Sequence, residues 1–151
     1  MELKMKITGG CYCGEVRYEV SAEPEVCVQC HCRECQYGTG GNPTAYVSVA
    51  EDAFTVTKGE VKEFKRSDIE NPVRRHFCGN CGTTVSSVTP LRPGSVIVRA
   101  GTLDDPSIYQ PQVAIFTKDK QDFHHIADDL AAFESVPGLS LIHISEPTRP
   151  F

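Results

Sequence analysis

The sequence has no excess of basic charge, no long apolar run and no export signal. Fifteen Lys and Arg stand against 20 Asp and Glu, giving a formal charge of −5 and a pI near 5.5. A dedicated nucleic-acid binder carries the opposite balance, so no nucleic-acid partner is expected. No segment approaches the ~18 apolar residues of a membrane span, which excludes a membrane partner of that kind. The opening Met-Glu-Leu-Lys-Met-Lys-Ile is too polar for a secretory signal, so the expected location is cytoplasmic. What remains is ordinary globular material: 151 residues, 40% apolar and 23% charged, enough for one domain with a core. One residue type is over-supplied. There are eight cysteines.

They are Cys11, Cys13, Cys27, Cys30, Cys32, Cys35, Cys78 and Cys81. A disulfide framework fits poorly, because a reducing compartment keeps thiols reduced. Bridge geometry is also narrow, and neighbours one residue apart are poor partners. The C-x-C and C-x-x-C spacings instead suit sulfurs converging on zinc.

The patterning is short-period. Val16, Tyr18 and Val20 alternate with Glu15, Arg17 and Glu19, a half-buried strand. Residues 45–49 and 54–57 are strand-like, and Lys58-Gly59 reads as the turn of a hairpin into 61–65. Further strands are expected at 74–77, 83–88, 95–99 and 113–117. Many short strands split by Gly, Pro and Asp indicate an all-β domain over residues 1–138. A single short helix is expected at 126–133. Residues 139–151 (LSLIHISEPTRPF) break the pattern and resemble translated library-adapter sequence, with a terminal strand at 139–144 as the alternative.

Cys11-Tyr-Cys13-Gly and Cys78-Gly-Asn-Cys81-Gly lie about 65 residues apart. The second is a knuckle turn in which backbone N–H groups approach the sulfurs. Two sulfurs from each complete a closed tetrahedral shell, the mark of a structural zinc. The middle run, Cys27-Val-Gln-Cys30-His-Cys32-Arg-Glu-Cys35, admits two partitions. All four sulfurs can close a second shell. Alternatively Cys30, Cys32 and Cys35 form one face of a tetrahedron and leave an exchangeable position, as catalytic zinc sites do. Spacing favours the second with less strain but leaves both open.

Four strings now matter together: GGCYCGEVRYEV (9–20), CHCREC (30–35), FCGNCGT (77–83) and AGTLDDP (100–106). In order and separation, from about residue 6 to 133, they resemble the glutathione-dependent formaldehyde-activating enzyme family, also called the GFA/CENP-V family. That resemblance implies an all-β, Mss4-like "β-tent" fold of several short antiparallel sheets with two zinc ions per chain. Cys11, Cys13, Cys78 and Cys81 would hold the structural zinc; Cys30, Cys32 and Cys35 would hold the catalytic one. It implies a carbon–sulfur lyase-type reaction in which glutathione or a similar thiol adds to formaldehyde or another small aldehyde, or the reverse. Three departures bear on the substrate: Gln36 where the family commonly has Arg, Ala114 where it commonly has His, and no Trp, with Phe123 the nearest stand-in.

Three thiolates on Zn²⁺ make a weak Lewis acid that suits binding an incoming thiol in ionised form. Zinc-bound water attacking an electrophile, a hydrolase, is the runner-up. A non-catalytic zinc-scaffolded binding module and a thiol redox sensor are the other classes. Around the cluster, His31 is expected to face away from the metal, packing and lending a backbone hydrogen bond to a sulfur; the sharper alternative is an acid/base role. Cys27 is expected to be a buried inert thiol. Arg33, Arg74 and Arg75 can match carboxylates but usually lie on a solvated surface. Asp104-Asp105-Pro106 reads as a turn with an Asp cap. Gly38-Thr39-Gly40-Gly41 lacks a phosphate-loop ending and is expected to bring backbone close to the metal.

Overall fold

A computed structural model describes residues 6–137. In chain order the strands are β1 (Ile7–Gly10), β2 (Arg17–Val20), β3 (Val26–Cys30), β4 (Thr44–Ala50), β5 (Phe54–Lys58) and β6 (Val61–Phe64). They continue with β7 (Arg74–Cys78), β8 (Thr84–Val88), β9 (Ser95–Arg99), β10 (Val113–Ile115) and β11 (Ala131–Ala132). The α-helix α1 spans Arg33–Thr39. The molecule is mostly strand, as the alternation requires. Two compact units divide it: residues 6–26 with 46–110, and residues 27–45 with 111–137. The 139–151 tail lies outside the described residues.

In the first unit β1, β2 and β5 form one antiparallel sheet, while β4, β9, β8, β7 and β6 follow one another in a second antiparallel array. The alternation of residues 16–20 is realised: Val16 is 1% exposed, and Tyr18 and Val20 are fully buried. Tyr18 Oη lies 2.7 Å from Thr102 Oγ1, so the phenol enters the core with a partner. Burial pushes its pKa up to about 12. A β-carbon at Gly9, paired across from Tyr18, would sit 2.3 Å from that hydroxyl and from the Thr102 carbonyl. Glycine is therefore required for this approach.

The expected β5–β6 hairpin does not form. β5 pairs with β2, and β6 pairs with β7. The reason is visible at Gly59, which has φ +77° and whose β-carbon would fall 2.1 Å from the Glu15 carbonyl. The chain there lies against the segment entering β2, so β5 continues along β2, and the turn sends β6 to a different neighbour. This pairing sets Val61 opposite Cys78.

The second unit differs in kind. β10 pairs in parallel with both β3 and β11, whereas the strand pairs described in the first unit are antiparallel. The helix expected at 126–133 is absent. Ala131 and Ala132 instead extend beside β10, and Phe133 N donates to the Ala114 carbonyl at 2.9 Å. Pairing outweighs the weak helical preference of so short a run. After β10 the chain turns sharply through Phe116 at φ 55°, a conformation that costs a bulky residue ~1–3 kcal/mol.

Candidate metal centres

The sulfurs of Cys11, Cys13, Cys78 and Cys81 all lie within 4.8 Å of one another in the first unit. Cys11 and Cys13 sulfurs are 3.6 Å apart, and those of Cys13 and Cys78 are 3.8 Å apart. A tetrahedral ion with Zn–S bonds near 2.3 Å needs an S···S edge of about 3.8 Å, so the donor set fits zinc. The turns supply the N–H donors that thiolates require. Val16 N donates to Cys11 Sγ at 3.3 Å, and Asn80 N and Cys81 N donate to Cys78 Sγ at 3.3 and 3.4 Å. Asn80 Nδ2 reaches Cys13 Sγ at 3.4 Å. The Thr83 hydroxyl, 3.2 Å from Cys81 Sγ, and its backbone draw that thiol down to about 5, so it is ready as an anion.

The sulfurs of Cys30, Cys32 and Cys35 likewise lie within 4.8 Å of one another, in the second unit. The cluster is local. Cys30 ends β3, Cys32 is the N-cap of α1, and Cys35 lies in its first turn. Cys35 N donates to Cys32 Sγ at 3.3 Å, so one bond both caps the helix and steadies a ligand sulfur. Gly40, at φ 90° beyond the helix, donates its N–H to the Gln36 carbonyl and closes the other end. Cys30 is 5% exposed; Cys32 and Cys35 reach the surface in part. The neighbouring Cys32 and Cys35 thiols and burial hold the Cys30 thiol well above its usual range. Three crowded sulfurs of that kind ionise together only when a cation neutralises them, which is the fit expected of a metal site. Cys27 is buried at 6% exposure and is not part of this three-sulfur group.

Two side chains beside the cluster have roles that their sequence positions did not show. Gln36, 3% exposed, uses its whole amide. Its Nε2 donates to the His31 and Asp119 carbonyls, each at 2.9 Å, while its Oε1 accepts from Gln121 Nε2 at 3.2 Å and from the Arg33 guanidinium. His31 is fully buried. Its backbone N–H donates to the Ile115 carbonyl at 3.0 Å and not to a sulfur, correcting that part of the expectation. Its ring nitrogens meet Gln29 Nε2 and His124 Nδ1, each at 2.9 Å. Burial, with His124 and Lys120 nearby, lowers its pKa to about 4. The imidazole is enclosed, and both of its ring nitrogens have partners.

The remaining candidates resolve simply. Arg33 stacks over the Tyr37 ring at 5.1 Å, and Arg74 faces Glu63 at 3.6 Å. Asp105 caps the short 3-10 turn Pro106–Ile108 through Ser107 N at 3.1 Å. Asp104 pairs with Arg17 and Thr8. Gly41 gives its carbonyl to His124 Nε2 at 2.7 Å. Phe123 is 67% exposed and stands edge-on to His124, with ring centroids 5.0 Å apart.

Fold and site together define a mostly-β chain with one four-cysteine and one three-cysteine cluster of metal-binding geometry. It belongs to the glutathione-dependent formaldehyde-activating enzyme family, whose model matches residues 6–119. A crystal structure of a Rhodobacter sphaeroides protein is similar in fold, with a TM-score of 0.54 at 19% identity, covering 64% of this chain and 87% of that one. No curated protein matches the chain. Among the described residues no helix is long and apolar enough to cross a membrane.

Proposed function

We propose that the Cys30, Cys32 and Cys35 cluster is the reaction centre of a carbon–sulfur lyase-type enzyme that joins a small thiol, glutathione or a relative, to formaldehyde or another small aldehyde. The observation that carries this reading is the three-sulfur group itself. Three ligands leave a fourth position for substrate, and no other His, Cys, Asp or Glu atom joins the group among the described residues. A zinc ion bound there supplies a means of keeping an incoming thiol ionised at neutral pH.

The chain's own residues do the rest. Cys30 anchors the buried side of the cluster, while the partly exposed Cys32 and Cys35 leave it open to solvent and substrate. The Cys35 N–H steadies Cys32 Sγ and lessens its competition for incoming protons. In the step itself the substrate sulfur gives an electron pair to the carbonyl carbon. The C=O π pair moves to oxygen, which takes a proton from solvent. The product is a hemithioacetal, with no net oxidation or reduction, and the reverse step breaks the same C–S bond. The four-cysteine cluster serves as the structural zinc site, its sulfurs supplied by two turns far apart in sequence.

The test is exchange spectroscopy with ¹³C-formaldehyde and glutathione on the zinc-loaded protein. The protein should accelerate exchange between free aldehyde and adduct, Cys32→Ala should remove the acceleration, and Cys27→Ala should leave it intact. No acceleration with glutathione or with any other small thiol would refute the reading. Turnover of activated esters without thiol would replace it with a water-nucleophile hydrolase.

A further inference from the structure

A chain of hydrogen bonds in the second unit fixes two buried imidazoles in one tautomeric arrangement. Gln29 Nε2 lies 2.8 Å from the His125 carbonyl and 2.9 Å from His31 Nε2. An amide nitrogen only donates, so His31 Nε2 accepts and the ring proton is on Nδ1. From the other end, Gln121 N donates to His124 Nδ1 at 3.3 Å, so this nitrogen accepts and His124 carries its proton on Nε2. The two assignments agree at the middle link, where His31 Nδ1–H donates to His124 Nδ1 at 2.9 Å. His124 Nε2–H then donates to the Gly41 carbonyl at 2.7 Å. The two histidines are 0% and 5% exposed, so the link between their rings is shielded from solvent.

The two ends held by His124 are informative. Its Nδ1 takes the ring that sits between Cys30 and Cys32. Its Nε2 takes the carbonyl just past α1, the helix that carries Cys35. One side chain thus clamps both ends of the segment that bears all three sulfurs. The cluster's ligands are close in sequence: within residues 30–41 Gln36 ties the His31 carbonyl to the helix and Gly40 closes the helix end, and His124 adds a direct tie between the two ends from outside that segment. His124 lies beyond residue 119, where the family match stops.

We propose that His124 is a positioning residue: by holding His31 and Gly41 together it sets the mutual placement of the Cys30, Cys32 and Cys35 sulfurs, and with it the metal affinity and coordination geometry of that cluster. The inference rests on the metal-binding reading above. Groups that orient metal ligands typically change affinity about 10- to 100-fold when removed, and the same range is expected here.

Cobalt(II) is the probe, because its visible bands report sulfur coordination at each cluster. The parent should bind two equivalents. His124→Leu should bind the first as the parent does, at the four-cysteine cluster, and the second about 10- to 100-fold more weakly with altered d–d bands. His124→Asn can place an oxygen where Nδ1 stands and keep the His31 link; His124→Gln can place a donor where Nε2 stands and keep the Gly41 link. Each should fall between the parent and the leucine variant, and these two decide the matter if the leucine variant does not fold. Variants that melt earlier yet bind both cobalt ions with the parent's affinity and spectrum would overturn the proposal and leave His124 a packing residue. A parent that takes up a single cobalt would instead refute the metal-binding reading itself, and this proposal with it.

Discussion

Gln36→Leu removes a side chain whose four hydrogen-bonding positions are all used. The volumes are similar, so the change is chiefly in hydrogen bonding rather than in packing. Two bonds at 2.9 Å to the His31 and Asp119 carbonyls disappear. Gln121 and Arg33 also lose an acceptor, but a long polar side chain at a partly exposed site can turn to water. The two carbonyls cannot move so freely, because they belong to the backbone, at a fully buried residue for His31 and a half-buried one for Asp119. Each lost buried bond costs ~1–2 kcal/mol once its partner is left unpaired, so the expected total is about 3 kcal/mol. For a chain of this size that lowers Tm by about 6–12 °C. Because the sequence has no tryptophan, far-UV circular dichroism in urea is the suitable assay, with zinc held constant across variants. The midpoint should fall with an unchanged slope, since the surface exposed on unfolding is the same. A loss below about 1 kcal/mol would refute the claim that Gln36 ties the ligand-bearing helix to the segment around Asp119.

Three further outcomes are expected. Cys78→Ser removes the sulfur that accepts two backbone N–H groups, so the protein should lose one zinc equivalent and either fail to accumulate or melt more than about 10 °C lower; an unchanged melt would contradict a structural role for this cluster. A mild chelator should withdraw the zinc of the Cys30/Cys32/Cys35 cluster first and leave the far-UV spectrum intact, whereas simultaneous loss of both metals with unfolding would show that the two sites are not separable. Glu25 accepts from the Ser95 hydroxyl at 2.7 Å and the Ser48 hydroxyl at 3.0 Å and faces Arg92, contacts that hold its carboxyl below the usual glutamate range. Its folded pKa is the lower one, so its contribution is complete above the unfolded value and disappears as pH falls through the folded value. The stability gap between the parent and Glu25→Gln should therefore close on acidification below about 4.5, and a gap that stays constant from neutral pH to 3 would contradict it.

The parts of this chain legible in its sequence are those where one residue carries its own geometric meaning. Alternation at 16–20 gave a strand because the period of two survives whatever neighbour it meets. Cysteine spacing gave both clusters because sulfurs two or three residues apart have few other reasons to converge. Partner choice was not legible. Residues 54–65 look like a hairpin, and only the fit of Gly59 against Glu15 sends the two strands to different sheets. Helix α1 was hidden because its N-cap is a cysteine already read as a ligand, and its seven residues are too few for periodicity. Gln36 registered only as a departure from the family's arginine. Its four partners come from residues 31, 33, 119 and 121, and two of those are remote in sequence.

The two clusters solve the same coordination problem from opposite directions. In the first, Cys13 and Cys78 are 65 residues apart, so a metal held there would join distant segments and the turns need only present their sulfurs. In the second, Cys30 and Cys35 are five positions apart, and joining them closes little chain. The loop-closure terms differ by about 2 kcal/mol on that count alone. A metal at the local cluster therefore organises less of the chain, and the orientation of its ligands must come from elsewhere. That orientation is found in hydrogen bonds from outside the cluster: Ile115 to the His31 backbone, Asp119 and Gln121 to Gln36, and His124 to His31 and Gly41. On the proposed reading, such a division would suit a structural metal at the first cluster and a reactive one at the second, because the hydrogen-bonded frame of the second does not depend on the ion. The segment that carries the local C-x-C-x-x-C run is thus held by residues 83–93 positions away from their partners, which is why substitutions far from the cysteines are sharp probes of this site.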